Sequence, residues 1–159
     1  MPPILLSEHF TLDEATMSET ASRKGIDNSH PAPEIITTAS KTAVKMEKVR
    51  LILGAPITIN SWIRCLDLNR ALGSKDSSQH VLGEAVDFIS PHFGSPLDVC
   101  KCLIDNKWAV NFDQLILEHT WVHISWNSTP NAVQRGQVLS LLSGGHYATG
   151  LTDINGNPL

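Results

Sequence analysis

Apolar residues spaced three and four positions apart predict one long helix in the first third of the chain, and a capping pattern predicts another helix before it. Thr11-Leu12-Asp13-Glu14 has the capping-box pattern, and a helix over Leu12 to Lys24, ended by Gly25, fits the residues that follow. Residues 35–53 show the apolar stripe of one long amphipathic helix that ends near Gly54. We expect both helices to pack on a sheet and to be structural.

Alternation of apolar and polar residues predicts a strand directly after the long helix, and further strands are predicted later in the chain. Pro56–Ser61 alternates in this way, and Ala85–Ile89 is expected to be a second strand. Gln114–Glu118 and Trp121–Trp126 indicate two further strands, joined by a tight connection at His119-Thr120. These elements indicate an α+β fold with helices packed against a small, mainly antiparallel sheet.

Shorter helices are expected between these strands. One is predicted around Leu66 to Leu72, and another begins with Ser95 as its N-cap and Pro96 at its first position. After Trp126 the pattern weakens, and the tail from Gly144 is rich in glycine, threonine and asparagine. We find no internal repeat, so we expect residues 1–159 to form a single domain.

Composition excludes several classes of partner. The 159 residues are 42% hydrophobic and carry a net charge of −4, without a run of lysine and arginine that would favour nucleic acid. The chain shows neither a secretory signal nor a membrane-spanning stretch, so we expect synthesis in the cytoplasm, no membrane insertion and a monomer. Cys65, Cys100 and Cys102 lack the spacing of redox or zinc-knuckle motifs and are expected to be reduced.

Two histidines and one aspartate form the candidate metal site. Gly83 permits a sharp bend between a loop that carries His80 and the strand that carries Asp87. His123 is expected on a neighbouring strand of the same sheet. Three protein ligands are what a catalytic zinc site uses when its fourth position stays open for water, whereas a structural site uses four. The sequence therefore favours a hydrolytic enzyme that binds Zn²⁺.

The predicted hairpin adds a carboxylate to this site. If His119 and Thr120 form a two-residue loop, Ile116 pairs with His123, and Glu118 lies on the same sheet face as His123. The backbones of Glu118 and His123 would then be roughly 7–8 Å apart on a diagonal. Such a carboxylate can act as general base on a water and later as acid for the leaving amine.

Six motifs follow one another along the chain: Phe10–Glu14, Gly25–Asn28, Ser61–Arg64, Leu68-Asn69, the Ser78-x-His80-x-x-Gly83-x-Ala85-x-Asp87 core and Trp121–His123. Their order resembles the D-alanyl-D-alanine carboxypeptidase-like zinc peptidases, and more narrowly their bacteriophage and bacterial branch that acts on cell-wall peptides. The resemblance spans about residues 7–126 and implies a hedgehog/DD-peptidase-like fold. It also implies zinc ligands at His80, Asp87 and His123, and an Arg64 that binds or polarises the substrate carbonyl.

The chain departs from this family's pattern in two places. Relatives usually have Ser-Gly-Tyr-Arg-Ser where this chain has Ser61-Trp62-Ile63-Arg64-Cys65. The arginine is kept, but the residues that line the pocket around it differ. Many relatives place the catalytic acid three residues before the last histidine, where this chain has Thr120. Glu118 is the replacement candidate, with Asp113 more remote and His119 able to assist.

The sequence leaves three functions open. The first is a zinc metallopeptidase that cuts bacterial peptidoglycan stem peptides or cross-links, as a phage endolysin or virion-associated lysin that reaches the wall after release or within the virion. The second is a D-Ala-D-Ala carboxypeptidase or dipeptidase on small substrates. The third is a non-catalytic cell-wall-binding or structural virion module that keeps the metal site.

Overall fold

The computed structural model describes residues 2–159 and contains six α-helices and six strands in that range. The α-helices are α1 (Leu12–Thr16), α2 (Glu19–Lys24), α3 (Pro33–Leu53), α4 (Leu66–Ala71), α5 (Pro96–Asp105) and α6 (Lys107–Val110). The strands are β1 (Thr58–Ser61), β2 (Ala85–Ile89), β3 (Gln114–Leu117), β4 (Val122–Ser125), β5 (Gln137–Leu141) and β6 (Tyr147–Thr149). A 3₁₀ helix at Gln79–Leu82 precedes β2.

The strands form one sheet in the order β1-β2-β4-β3-β5-β6. Neighbouring strands are antiparallel except β3 and β5, which are parallel. The expected α+β class with a mainly antiparallel sheet is therefore confirmed.

The two faces of the sheet have different roles. Side chains at successive strand positions point to opposite faces, so every second residue of β2, β3 and β4 can join a core. One face packs against α3 and α5 and contains the buried apolar residues Val86, Phe88, Leu115, Leu117, Val122 and Ile124. The intervening positions place Asp87 and His123 together on the other face. The hydrophobic core thus lies on one face of the sheet, and the candidate metal ligands of β2 and β4 lie on the other.

The single helix predicted over Leu12 to Lys24 is wrong, because the segment forms two helices. Met17 has extended backbone dihedrals between them. The Ser18 side chain accepts a hydrogen bond from the Ala21 amide and so caps α2. Serine satisfies a free amide at a helix N-terminus and competes with the helical backbone in a helix interior, so Ser18 favours a new start here. Gly25 ends α2 in the left-handed conformation, as predicted.

The strands β5 and β6 were not expected from the pattern after Trp126. The strand β5 buries a polar residue, Ser140, which interrupts the apolar pattern on that side of the strand. Its hydroxyl donates to the Gly150 carbonyl and accepts from the Thr152 amide, so its burial leaves no unpaired polar group. These two strands extend the sheet beyond β3.

His80 lies in the 3₁₀ helix and not in the predicted loop. Ser78 caps this helix, and Gly83 ends it with a φ of +78°. The Gly83 carbonyl accepts hydrogen bonds from Thr42 Oγ1 at 2.9 Å and Trp62 Nε1 at 3.0 Å. The turn that carries His80 is therefore fixed to α3 and to the end of β1.

Two further expectations concern cysteines and membranes. Cys65, Cys100 and Cys102 are free thiols, and burial raises the pKa of Cys100 to about 12. Among residues 2–159, no helix combines the length and the apolar composition that crossing a membrane requires.

Gly83→Ala should destabilise the fold more than Gly73→Ala. Both glycines have a positive φ, which costs a residue with a side chain about 1–2 kcal/mol. Only at position 83 would the new Cβ meet neighbours, at 3.2 Å from the Ile35 carbonyl and 3.4 Å from the Ala39 side chain. Urea unfolding of the two variants gives the comparison, and equal losses in the free energy of unfolding would contradict it.

Candidate metal centre

Strand pairing brings two of the three candidate ligands together. Asp87 in β2 and His123 in β4 are directly opposed in the antiparallel register. His123 Nδ1 lies 2.9 Å from Asp87 Oδ1. Because both strands are held by the core on the opposite face, this pair is fixed by the sheet itself.

The third candidate ligand arrives from the 3₁₀ helix with its tautomer set. His80 Nδ1 is 2.7 Å from the Trp62 carbonyl oxygen, which can only accept, so Nδ1 carries the hydrogen. In the neutral ring Nε2 then has a free lone pair. That atom is fully buried, has no hydrogen-bond partner and lies 3.2 Å from Asp87 Oδ1. A buried lone pair facing a carboxylate is the arrangement that a bound cation would stabilise.

The distances among these three side chains fit a metal ion. One potential ligand atom from each residue lies within 4.8 Å of the other two. Ligands at roughly 2.0–2.2 Å from a tetrahedral zinc ion lie about 3.3–3.5 Å from one another. The 3.2 Å and 2.9 Å separations around Asp87 Oδ1 are close to this spacing. The cluster can therefore hold a metal ion with small adjustments of the side chains.

The electrostatics of the cluster favour the protonation states that metal binding needs. Burial works against the charge of Asp87, but His80 and His123 outweigh it and hold the Asp87 pKa well below its usual range. Burial lowers the pKa of His80. An ionised carboxylate beside a neutral imidazole at neutral pH is the form in which both groups can coordinate a metal.

Arg64 fixes the second oxygen of the same carboxylate. Its Nη2 donates to Asp87 Oδ2 at 3.1 Å, and its Nε donates to Ser61 Oγ at 3.0 Å. The guanidinium is further held by Asn69 Oδ1 at 3.4 Å from Nη1, and Asn69 is itself anchored on the Lys75 carbonyl. The structure thus brings the predicted arginine to the cluster, where it orients Asp87.

The hairpin that carries Glu118 has the predicted register. Ile116 pairs with His123, and the Glu118 amide donates to the Trp121 carbonyl at 3.1 Å. His119 takes the positive φ of 65° that glycine or asparagine usually supplies in such a loop. Its Nε2 lies 2.8 Å from the Leu141 carbonyl, which ties the loop to β5.

Glu118 is close enough to the candidate metal ligands for their charges to act on its carboxylate. Burial, and then the charge of Asp87, raise the pKa of Glu118, while His123 acts in the opposite sense. The other candidates for this role are engaged elsewhere. Asp113 is buried in an ion pair with Arg135 at 2.8 Å, and the His119 ring is bound to the backbone of β5.

Tyr147 is a residue near the site that the sequence did not indicate. Its hydroxyl donates to Glu118 Oε1 at 3.2 Å. One feature of the sequence could have indicated the hairpin that carries it. The Gly144-Gly145 pair stands between Leu141-Leu142 and Tyr147, and such a pair between apolar residues is typical of a hairpin loop.

A family comparison decides the class of the protein. The model of the family described as Peptidase M15 matches residues 8–125. The chain belongs to the peptidase M15 family. Membership implies a metallopeptidase, and because M15 peptidases are zinc-dependent, the His80–Asp87–His123 cluster is where such an ion fits. A search of curated proteins gave no match. The strands β5 and β6 lie beyond the matched segment.

His123→Ala should remove high-affinity zinc binding, because it leaves two of three ligands. We expect wild-type protein to bind one zinc ion per chain in calorimetric titration, and the variant to lose more than about 100-fold in affinity. His92→Ala is the control, because His92 is an exposed histidine outside the cluster. Unchanged affinity in His123→Ala would show that the ion binds elsewhere.

Proposed function

We propose that this protein is a zinc peptidase that hydrolyses peptide bonds in bacterial peptidoglycan stem peptides or cross-links. The observation that carries the proposal is the placement of Glu118 beside the buried His80–Asp87–His123 cluster on one sheet face. Membership of the M15 family supports the same reaction class.

Metal binding and proton transfer are carried out by different residues. Bound zinc would be held by His80, Asp87 and His123, and would supply a Lewis acid for the scissile carbonyl and its attacking water. Glu118 takes the proton from that water and returns it to the leaving amine. Its raised pKa suits both steps, because a general acid–base works best when its pKa approaches the working pH.

Arg64 supplies positive charge where the carbonyl oxygen becomes an oxyanion. Three of its five N–H donors are used by Asp87, Ser61 and Asn69, so two are available to a substrate. A donor that is already oriented stabilises developing charge without reorganisation during the reaction. Arg64 therefore both orients Asp87 and binds the substrate carbonyl.

The exposure of the rim favours a polymeric substrate. Tyr147 is 49% exposed beside Glu118, so this edge of the site is open to solvent. A narrow, closed pocket would suit a free dipeptide better.

We further propose that residues 1–159 act as one monomeric catalytic domain, as an endolysin or a virion-associated lysin. The resemblance of the motifs to the phage and bacterial branch supports this role.

Glu118→Gln should lower peptide hydrolysis about 10²- to 10⁴-fold while zinc binding is kept, because only proton transfer is lost. Purified peptidoglycan is digested with zinc-loaded protein, and the fragments are identified by mass spectrometry. Glu34→Gln, which changes an exposed glutamate of α3, is the control.

The fragments also separate the alternatives. New amino termini that vanish in Glu118→Gln establish an endopeptidase and identify the bond. Release of terminal D-alanine alone would indicate a carboxypeptidase. Intact wall peptides and intact D-Ala-D-Ala, with one zinc bound per chain, would overturn the proposal in favour of a binding module.

Arg64→Lys should lower kcat/KM about 10²- to 10³-fold at saturating zinc, because lysine keeps the charge but not the oriented donors. Arg70→Lys is the matched control, since Arg70 makes an exposed ion pair with Asp76. Steady-state kinetics on a peptide identified in the digestion gives the comparison. Equal activity of the two variants would remove Arg64 from the mechanism.

A further inference from the structure

The register of the sheet places Tyr147 in one row with Glu118. The parallel pairing of β3 and β5 ends with Leu117 matched to Ser140. Continuing this register by one residue brings Glu118 next to Leu141. Leu141 pairs directly with Tyr147 in the antiparallel β5–β6 ladder. Residues in one row of a sheet share a face. The phenol and the carboxylate are therefore brought together by the backbone itself.

The phenol of Tyr147 makes a long hydrogen bond to the carboxylate of Glu118. Tyr147 Oη donates to Glu118 Oε1 at 3.2 Å. Burial and then the charge of Glu118 raise the pKa of Tyr147 to about 12, with Asp87 adding to the shift. The phenol is thus a proton donor, not a phenolate, throughout the range in which a peptidase works.

The hairpin that carries Tyr147 is held by other contacts. The Leu142 amide donates to the His146 carbonyl at 2.7 Å, and Ser140 Oγ bonds to the Gly150 carbonyl at 2.8 Å. The His119 ring holds the backbone of Leu141. Removing one half-exposed hydroxyl leaves all of these bonds in place, so the phenol is not required for the hairpin to form.

We propose that Tyr147 is a positioning residue for Glu118. Its hydroxyl fixes Oε1 of the carboxylate and leaves Oε2 to accept and return the proton. The inference rests on the proposed role of Glu118 in proton transfer. It makes β5 and β6, which lie outside the segment matched by the family model, part of the active site.

Tyr147→Phe tests this role with the smallest change. The ring is kept and only the hydroxyl is lost, so we expect kcat to fall about 10- to 100-fold, the effect of losing one hydrogen bond to a charged group. KM and the zinc stoichiometry should stay unchanged. Thr149→Val is the control, because it removes an exposed hydroxyl from the same strand. Full kcat in Tyr147→Phe would overturn the proposal.

A double-mutant cycle shows whether Tyr147 acts through Glu118. In the Glu118→Gln background, Tyr147→Phe should cause little further loss of the residual rate, because the group it positions is already disabled. An equal loss in both backgrounds would mean that Tyr147 acts independently of Glu118, which contradicts the proposal.

A measurement without turnover tests the contact itself. Tyr147 is the single tyrosine of the chain, so protein labelled with ¹³C-tyrosine gives one Cζ signal. Glu118→Ala should shift that signal, whereas Glu34→Ala should not. An unmoved signal would overturn the proposal. Failure of the proposed function would show differently, as zinc-loaded wild-type protein without hydrolysis, and would also remove the role assigned to Tyr147.

Discussion

The buried carboxylate of Asp87 is the interaction on which the rest of the site depends. One oxygen faces His80 and His123, and the other accepts a hydrogen bond from Arg64. Burying a carboxylate is costly unless it is paired, and here positive or metal-binding groups approach both oxygens. The same contacts that make the buried charge tolerable also collect the ligands and orient the arginine.

The sheet separates stability from chemistry. The apolar positions of its central strands pack against α3 and α5, and the alternate positions carry Asp87 and His123 on the open face. The apolar core on the other face holds the strands in place, so Asp87 and His123 stay within hydrogen-bonding distance of each other. The histidine that does not come from the sheet, His80, is fixed by the Trp62 carbonyl and by the turn at Gly83.

The sequence predicts those features that depend on local periodicity. The strand at Ala85–Ile89 is visible in the sequence, and the pairing of Ile116 with His123 follows once His119 and Thr120 are taken as a two-residue loop. The features that it misses depend on side-chain hydrogen bonds. Ser18 begins a second helix by capping it, and buried Ser140 conceals β5. Tyr147 reaches Glu118 only through a parallel pairing between distant segments, which no local pattern encodes.

Crystals soaked in zinc and measured on both sides of its absorption edge would show where the ion binds. We expect one strong anomalous peak at about 2.0–2.2 Å from His80 Nε2, an Asp87 oxygen and His123 Nδ1, with Glu118 nearby and not coordinating. A peak at other residues, or coordination by four protein ligands that closes the site, would contradict it.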